Sequence, residues 1–108
     1  MAIIGCKDKK TERFLAGDRV KDFQSFVEGA AKALTKLQAA TILIDLRNPP
    51  SNAFEALKGN RSGQYSIRIN QKNRVCFKWA QHASVPLGTD LLLATGDAYD
   101  VEIVIDYH

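Results

Sequence analysis

Between Val20 and Leu37 the apolar residues Val20, Phe23, Val27, Ala30, Ala31, Leu34 and Leu37 recur at spacings of three and four. That period places them on one stripe of a helix over residues 19–39, with Asp18 as its N-terminal cap. Lys21, Glu28, Lys32 and Lys36 fall off the stripe and are expected to face water. Upstream, Ala2 to Gly5 is a short apolar run suited to a first strand, and Ile42 to Leu46 suits one more helical turn. Asn48-Pro49-Pro50-Ser51-Asn52 then stops any helix and imposes an extended loop.

Beyond that loop the period changes to two. In GQYSIRIN, Tyr65, Ile67 and Ile69 alternate with Ser66, Arg68 and Asn70, and in NRVCFKW, Val75, Phe77 and Trp79 alternate with Arg74, Cys76 and Lys78. The intervening Asn70-Gln71-Lys72-Asn73 is short enough to close a hairpin. A third run, DVEIVIDY, sets Val101, Ile103 and Ile105 against Glu102, Val104 and Asp106, and a short segment around Phe54 to Leu57 adds to the sheet. Residues 80–97 carry no clear period and suit a loop with a short apolar element. The pattern predicts an α+β fold, N-terminal helices packed on a small antiparallel β-sheet.

A length of 108 residues with 45% hydrophobic content fits one domain spanning 1–108, large enough to bury a core. No apolar run approaches the roughly 18 residues of a membrane span, and the N-terminus turns polar too early for a secretion signal. A cytoplasmic protein without membrane attachment is expected. Cys6 and Cys76 read as two small hydrophobes rather than a disulfide. With His82 and His108 they form no metal-ligand spacing, so neither a metal nor a cofactor is expected.

The net charge of +3 is unevenly spread. From Arg47 to His82 the bases Arg47, Lys58, Arg61, Arg68, Lys72, Arg74 and Lys78 face one acid, Glu55, whereas after His82 come Asp90, Asp97, Asp100, Glu102 and Asp106 with no Lys or Arg. A basic middle suits a polyanion, because cations gain by displacing counterions from phosphates; a solvated sheet face carrying long cations would give the same composition. Arg68 and Arg74 on paired strands, with Lys58 before the hairpin, would line one groove. The closing IDYH would bring Asp106, Tyr107 and His108 towards it. Such a groove suits RNA phosphodiester cleavage without a metal: cations hold the charge developing on phosphorus, and groups that titrate near neutrality move protons. The adjacent carboxylates favour a charged His108, which suits it as the acid.

The segments EALKGNRSGQYSIRINQKNRVCFKW and DVEIVIDYH resemble the HigB family of toxins within the RelE-like group, and CKDKKTERFLAGDRVKDFQ and KLQAATILIDLRNPP extend the resemblance over nearly the whole chain. The resemblance implies a compact RelE-like fold and a ribosome-dependent endoribonuclease, or mRNA interferase, that cuts messenger RNA in the A site of the 70S ribosome and halts translation. It implies a HigA-like helix-turn-helix antitoxin as partner, through which alone the toxin would meet operator DNA. By position it assigns Lys58 and Arg74 to the scissile phosphate and Asp106, Tyr107 and His108 to the functional C-terminal cluster. Arg68 matches a common basic position of the family, and with Arg61, Lys72 and Lys78 it is expected to contact RNA.

Two positions depart from the family. Glu55 stands where some members have a histidine, and Asn73 stands where many have Trp or Tyr, removing a stacking surface. The segment from Ala80 to Gly96 is also longer than usual. The alternatives to cleavage are a non-cutting RelE-fold inhibitor, as in the gyrase-directed ParE group, and a decayed toxin that only binds its antitoxin.

Overall fold

The computed structural model describes residues 3–82 and 91–107, with the backbone alone for Leu91. Two α-helices, α1 (Lys9–Leu15) and α2 (Val27–Ala39), precede a four-stranded antiparallel sheet of order β1-β2-β3-β4: Glu55–Ala56, Tyr65–Arg68, Arg74–Gln81 and Gly96–Val104. One face of the sheet packs Ile67, Val75, Phe77, Ala98, Val101 and Ile103 against Ala30, Ala33, Leu34 and Leu37 of α2. The α+β class holds, helices ahead of an antiparallel sheet. No helix among the described residues is long and apolar enough to cross a membrane.

The long helix expected over 19–39 is two elements. Lys21–Phe26 is a 3-10 turn, and α2 starts at Val27. The apolar residues Val20, Phe23 and Phe26 recur every three positions, which suits three residues per turn as well as it suits an α-helical stripe. The buried side of α2 is correspondingly rotated, so that Ala33 is buried and Ala31 is exposed. Asp18 caps no helix start. It follows α1, where Gly17 takes φ +100° and the Gly17 and Asp18 N–H groups donate to Phe14 O and Arg13 O, closing the helix in a Schellman arrangement.

Strand β4 would be a bare sheet edge, but the N-terminal segment covers it. Ile3 and Cys6 bridge Ala98 and Val101 in parallel, with Ile4 N–H donating to Ala98 O at 2.8 Å and Lys7 N–H to Val101 O at 2.9 Å. The next free donor, Ile103 N–H, is taken by the fully buried Thr11 Oγ1 of α1 at 3.0 Å. The apolar run at the N-terminus is thus an edge cover pairing by single bridges rather than a full strand.

The Pro49-Pro50 loop is held from inside. Asn52, 1% exposed, donates to Leu46 O and Asn48 O at 3.0 and 3.1 Å and accepts from Lys36 Nζ at 2.7 Å. Lys36 is therefore a tether between α2 and the loop, not one of the solvent-facing charges it was expected to join. The turn expected at Ile42 to Leu46 is a 3-10 turn over Leu43–Arg47, and the segment around Phe54 contributes the two-residue β1. Of the long segment 80–97, β3 takes residues to Gln81, a 3-10 turn spans Leu91–Leu93, and β4 opens at Gly96, earlier than the alternation predicts; residues 83–90 lie outside the described ones. Gly96 is required there, since a Cβ would run into Ala80 O and the Trp79 indole.

Candidate functional site

The second face of the sheet carries the chemistry. In the β2–β3 register Ser66 opposes Cys76 and Arg68 opposes Arg74, so both arginines share the face opposite the core, and Glu102 of β4 joins it opposite Cys76. Ser66 and Cys76 are nonetheless fully buried. The alternation predicts a polar outer face, and Ser66 and Cys76 are the floor beneath its longer side chains.

Arg74 is the most constrained of those side chains, 13% exposed. Its Nε donates to Ser66 Oγ at 2.8 Å and its Nη2 to Ala53 O, while Glu55 Oε1 stands 3.9 Å from Nη2. Its guanidinium lies 5.7 Å from the centre of the Tyr107 ring. The floor hydroxyl and the loop carbonyl fix the fork in orientation, a phenol ring covers one side, and the Glu55 carboxylate, 52% exposed, occupies an anion's place at the edge. A guanidinium so held is preorganised for a bidentate oxyanion.

Tyr107 reaches this position through backbone contacts. Strand β4 ends at Val104, earlier than its alternation predicts; Ile105 is exposed, and Asp106 turns the chain with φ +53°. Asp106 N–H then donates to Asn73 Oδ1 at 3.0 Å and Tyr107 N–H to Lys72 O at 2.6 Å. The β2–β3 turn that receives them is itself locked, because Asn70 Oδ1 accepts from both Lys72 N–H and Asn73 N–H at 2.9 Å.

The expected site residues separate into two groups. Arg68, Lys72, Arg74, Asp106 and Tyr107 meet at the β2–β3 turn, and Lys58 is exposed at the start of the Gly59–Arg61 turn between β1 and β2. Arg61 and Lys78 are tied to β4 instead: Arg61 Nη1 binds Glu102 at 3.2 Å and Gln64 at 3.1 Å, and Lys78 Nζ sits 3.5 Å from Asp100 and 6.0 Å from the Tyr99 ring centre. His108 lies outside the described residues. Ser66 and Asn73 are the site members that the sequence reading does not assign. Ser66 gives no signal beyond its pairing with a cationic strand, and Asn73, expected there as a turn residue and a lost aromatic, is 6% exposed and hydrogen bonded. Burial pushes the Cys76 thiol up, so the floor beneath the cations is a neutral thiol near pH 7. No group of three or more metal-ligating side chains occurs among the described residues.

A family model described as "RelE-like toxin of type II toxin-antitoxin system HigB" matches residues 5–108. The chain belongs to this HigB toxin family. Toxin HigB-1 of Vibrio cholerae serotype O1 is 44% identical over 75 residues, covering 68% of this chain and 79% of that protein. An uncharacterized protein of Haemophilus influenzae is 37% identical over 49 residues, covering 45% of this chain and 48% of its own length. Among solved structures, the YoeB/ParE toxin from Agrobacterium tumefaciens aligns over 100% of this chain and 99% of its own, with a TM-score of 0.46 and 16% identity. As a RelE-like HigB toxin of a type II toxin–antitoxin system, the protein has an antitoxin as its partner.

Proposed function

We propose that this HigB toxin is a metal-independent endoribonuclease that cleaves messenger RNA in the A site of the 70S ribosome, acts in the cytoplasm, and is neutralised by a HigA-like helix-turn-helix antitoxin. The observation carrying the reading is the Arg74 guanidinium fixed by Ser66 and Ala53 under the Tyr107 ring, with Arg68 directly across the hairpin. Two like charges in register destabilise a sheet unless an anion joins them. A phosphodiester is such an anion.

In the reaction the RNA 2′-oxygen bonds to phosphorus, the bond to the 5′-oxygen breaks, and a 2′,3′-cyclic phosphate and a 5′-hydroxyl result. Arg74 and Lys58 hold the charge that develops on the non-bridging oxygens. Glu55 or Asp106, the carboxylates beside the guanidinium and at the tail, accepts the 2′ proton, and His108 returns a proton to the leaving 5′-oxygen. Tyr107 packs on the guanidinium and shields it from water, while Arg68 and Lys72 draw in the flanking backbone. Arg61 and Lys78 sit further along the same face, where they would meet RNA only by giving up their carboxylates.

The test maps messenger-RNA 5′ ends in a purified translation system with and without ribosomes. New ends are expected only with ribosomes, lost about 100-fold or more in Arg74→Ala and retained in Lys32→Ala, a change on an exposed position of α2. His108→Ala is expected to lose about 100- to 10,000-fold while still binding antitoxin. Equal cleavage by the Arg74 and Lys32 variants would overturn the groove. Absence of new ends alongside inhibited gyrase would replace cleavage with a non-cutting mode of action.

A further inference from the structure

Asn73 occupies the junction between the β2–β3 turn and the C-terminal tail. Its backbone N–H is fixed by Asn70 Oδ1 at 2.9 Å, its carbonyl accepts from Ile69 N–H at 2.9 Å and Asn70 N–H at 3.2 Å, and its side-chain Oδ1 accepts from Asp106 N–H at 3.0 Å. The amide is therefore held on the turn and holds the tail. Just beyond this contact, Asp106 adopts a left-handed backbone, φ +53°, that turns the chain so that Tyr107 lies over Arg74. Ile105 is 43% exposed, so apolar burial holds the tail only in part. Among the described residues the tail's backbone is held by two donors, Asp106 N–H to Asn73 Oδ1 and Tyr107 N–H to Lys72 O, and the first of these ends on a side chain.

We infer that Asn73 is a positioning residue whose side-chain carbonyl docks Asp106 and so sets Tyr107 over Arg74, the guanidinium that holds the RNA phosphate. The inference rests on the cleavage reading for its consequence in catalysis, but the docking is a property of the protein alone. Loss of the acceptor leaves the Asp106 N–H without its partner and removes one of the contacts that hold Asp106 in the left-handed region, which aspartate tolerates better than most non-glycine residues. Misplacing reacting groups by about 1 Å costs on the order of 100-fold in rate, and the cost falls on turnover rather than on encounter. The phosphate-holding cations remain, so binding is largely spared.

Three variants separate positioning from general stability. Asn73→Ala removes the acceptor, Asn73→Asp keeps an oxygen at the same reach, and Arg74→Ala marks loss of the phosphate contact. Amide hydrogen exchange at Asp106 and Tyr107, read on the free toxin, is expected to quicken at least tenfold in Asn73→Ala and to return towards the parent rate in Asn73→Asp, with the amides of β3 unchanged in all three. In ribosome-dependent cleavage, Asn73→Ala is expected to lower kcat about 10- to 100-fold with KM changed less than about threefold, and Asn73→Asp to restore most of it. Unchanged exchange at Asp106 and Tyr107 in Asn73→Ala would overturn the inference, whatever the activity. Faster exchange across the whole sheet in Asn73→Ala, unrelieved in Asn73→Asp, would also overturn it, since the residue would then be a fold determinant. Should the parent toxin cut nothing, the cleavage reading fails while exchange still decides the docking.

Discussion

At Arg74 a single side chain links the buried floor, the loop and the tail, through Ser66, Ala53 and Tyr107. Lysine keeps the charge but has no planar fork to satisfy Ser66 and Ala53 while facing a phosphate. Arg74→Lys is therefore expected to fold normally and to retain no more than about a tenth of the parent cleavage rate, measured in single-turnover assays; full activity would mean that charge alone suffices. Beneath it, the titration of Cys76 couples to folding. Burial raises its pKa, Glu102 adds in the same direction, and Arg61, Arg74 and Lys7 pull against them. The native thiol thus keeps its proton where the unfolded thiol, near pH 8.5, loses it. Unfolding releases a proton in that range, so this contribution is whole below about pH 8.5 and declines as pH rises above it. Cys6 shifts in the same direction, also mainly through burial. Chemical denaturation between pH 7 and 10 is expected to show falling stability, with a shallower fall in Cys76→Ala.

At the scale of elements, several of the hydrogen bonds that hold the architecture join segments far apart in the chain. Thr11 and Ile103 are the clearest case, since the fully buried hydroxyl accepts the last inward donor of β4. Thr11→Val keeps the shape and removes the acceptor, which is expected to cost about 1–3 kcal/mol in denaturant unfolding. The β2–β3 hairpin was legible in the sequence because its alternation and its four-residue turn agree, and the facing of Arg68 on Arg74 followed from them. Helix α1 was not legible. Only Thr11, Phe14 and Leu15 of its seven residues turn towards the interior, too few to show a period, and Asp18 after Gly17 looks like the start of the next helix. The parallel pairing of Ile3 and Cys6 with β4 has no local signature at all. Nor has the docking role of Asn73, because a turn asparagine ordinarily serves its own backbone. What the pattern showed was the half of the site built within one hairpin; what it missed is the half that arrives from elsewhere.

Across the whole molecule the uneven charge of the chain resolves into a gradient along one sheet face. Acidic β4 neutralises the far part of that face, where Glu102 takes Arg61 and stands 3.9 Å from Lys7, Asp100 takes Lys78, and Asp97 accepts His82 at 2.8 Å. Near the β2–β3 turn, Arg68 and Lys72 have no carboxylate partner among the described residues, and Arg74 has only the exposed Glu55; Lys58, likewise unpaired among them, stands at the turn between β1 and β2. Positive potential is thus concentrated where the tail arrives, although in the sequence the pairing bases of the sheet precede His82 and the acids of β4 follow it. This arrangement trades stability for binding, and the trade is measurable. Replacing Arg68 with threonine relieves the cross-strand repulsion and is expected to raise unfolding free energy by a few tenths of a kcal/mol. The same change removes a cation from the RNA-facing end, so the dependence of toxin association with messenger-RNA-loaded ribosomes on log salt is expected to flatten by about 0.7 per lost phosphate contact. Lys72→Ala is expected to flatten it equally, whereas Lys78→Ala, whose charge Asp100 already neutralises, leaves the slope near that of the parent. If Lys78→Ala flattened the slope as much as Arg68→Thr, RNA would follow the full length of the face and the Lys78–Asp100 pair would open on binding.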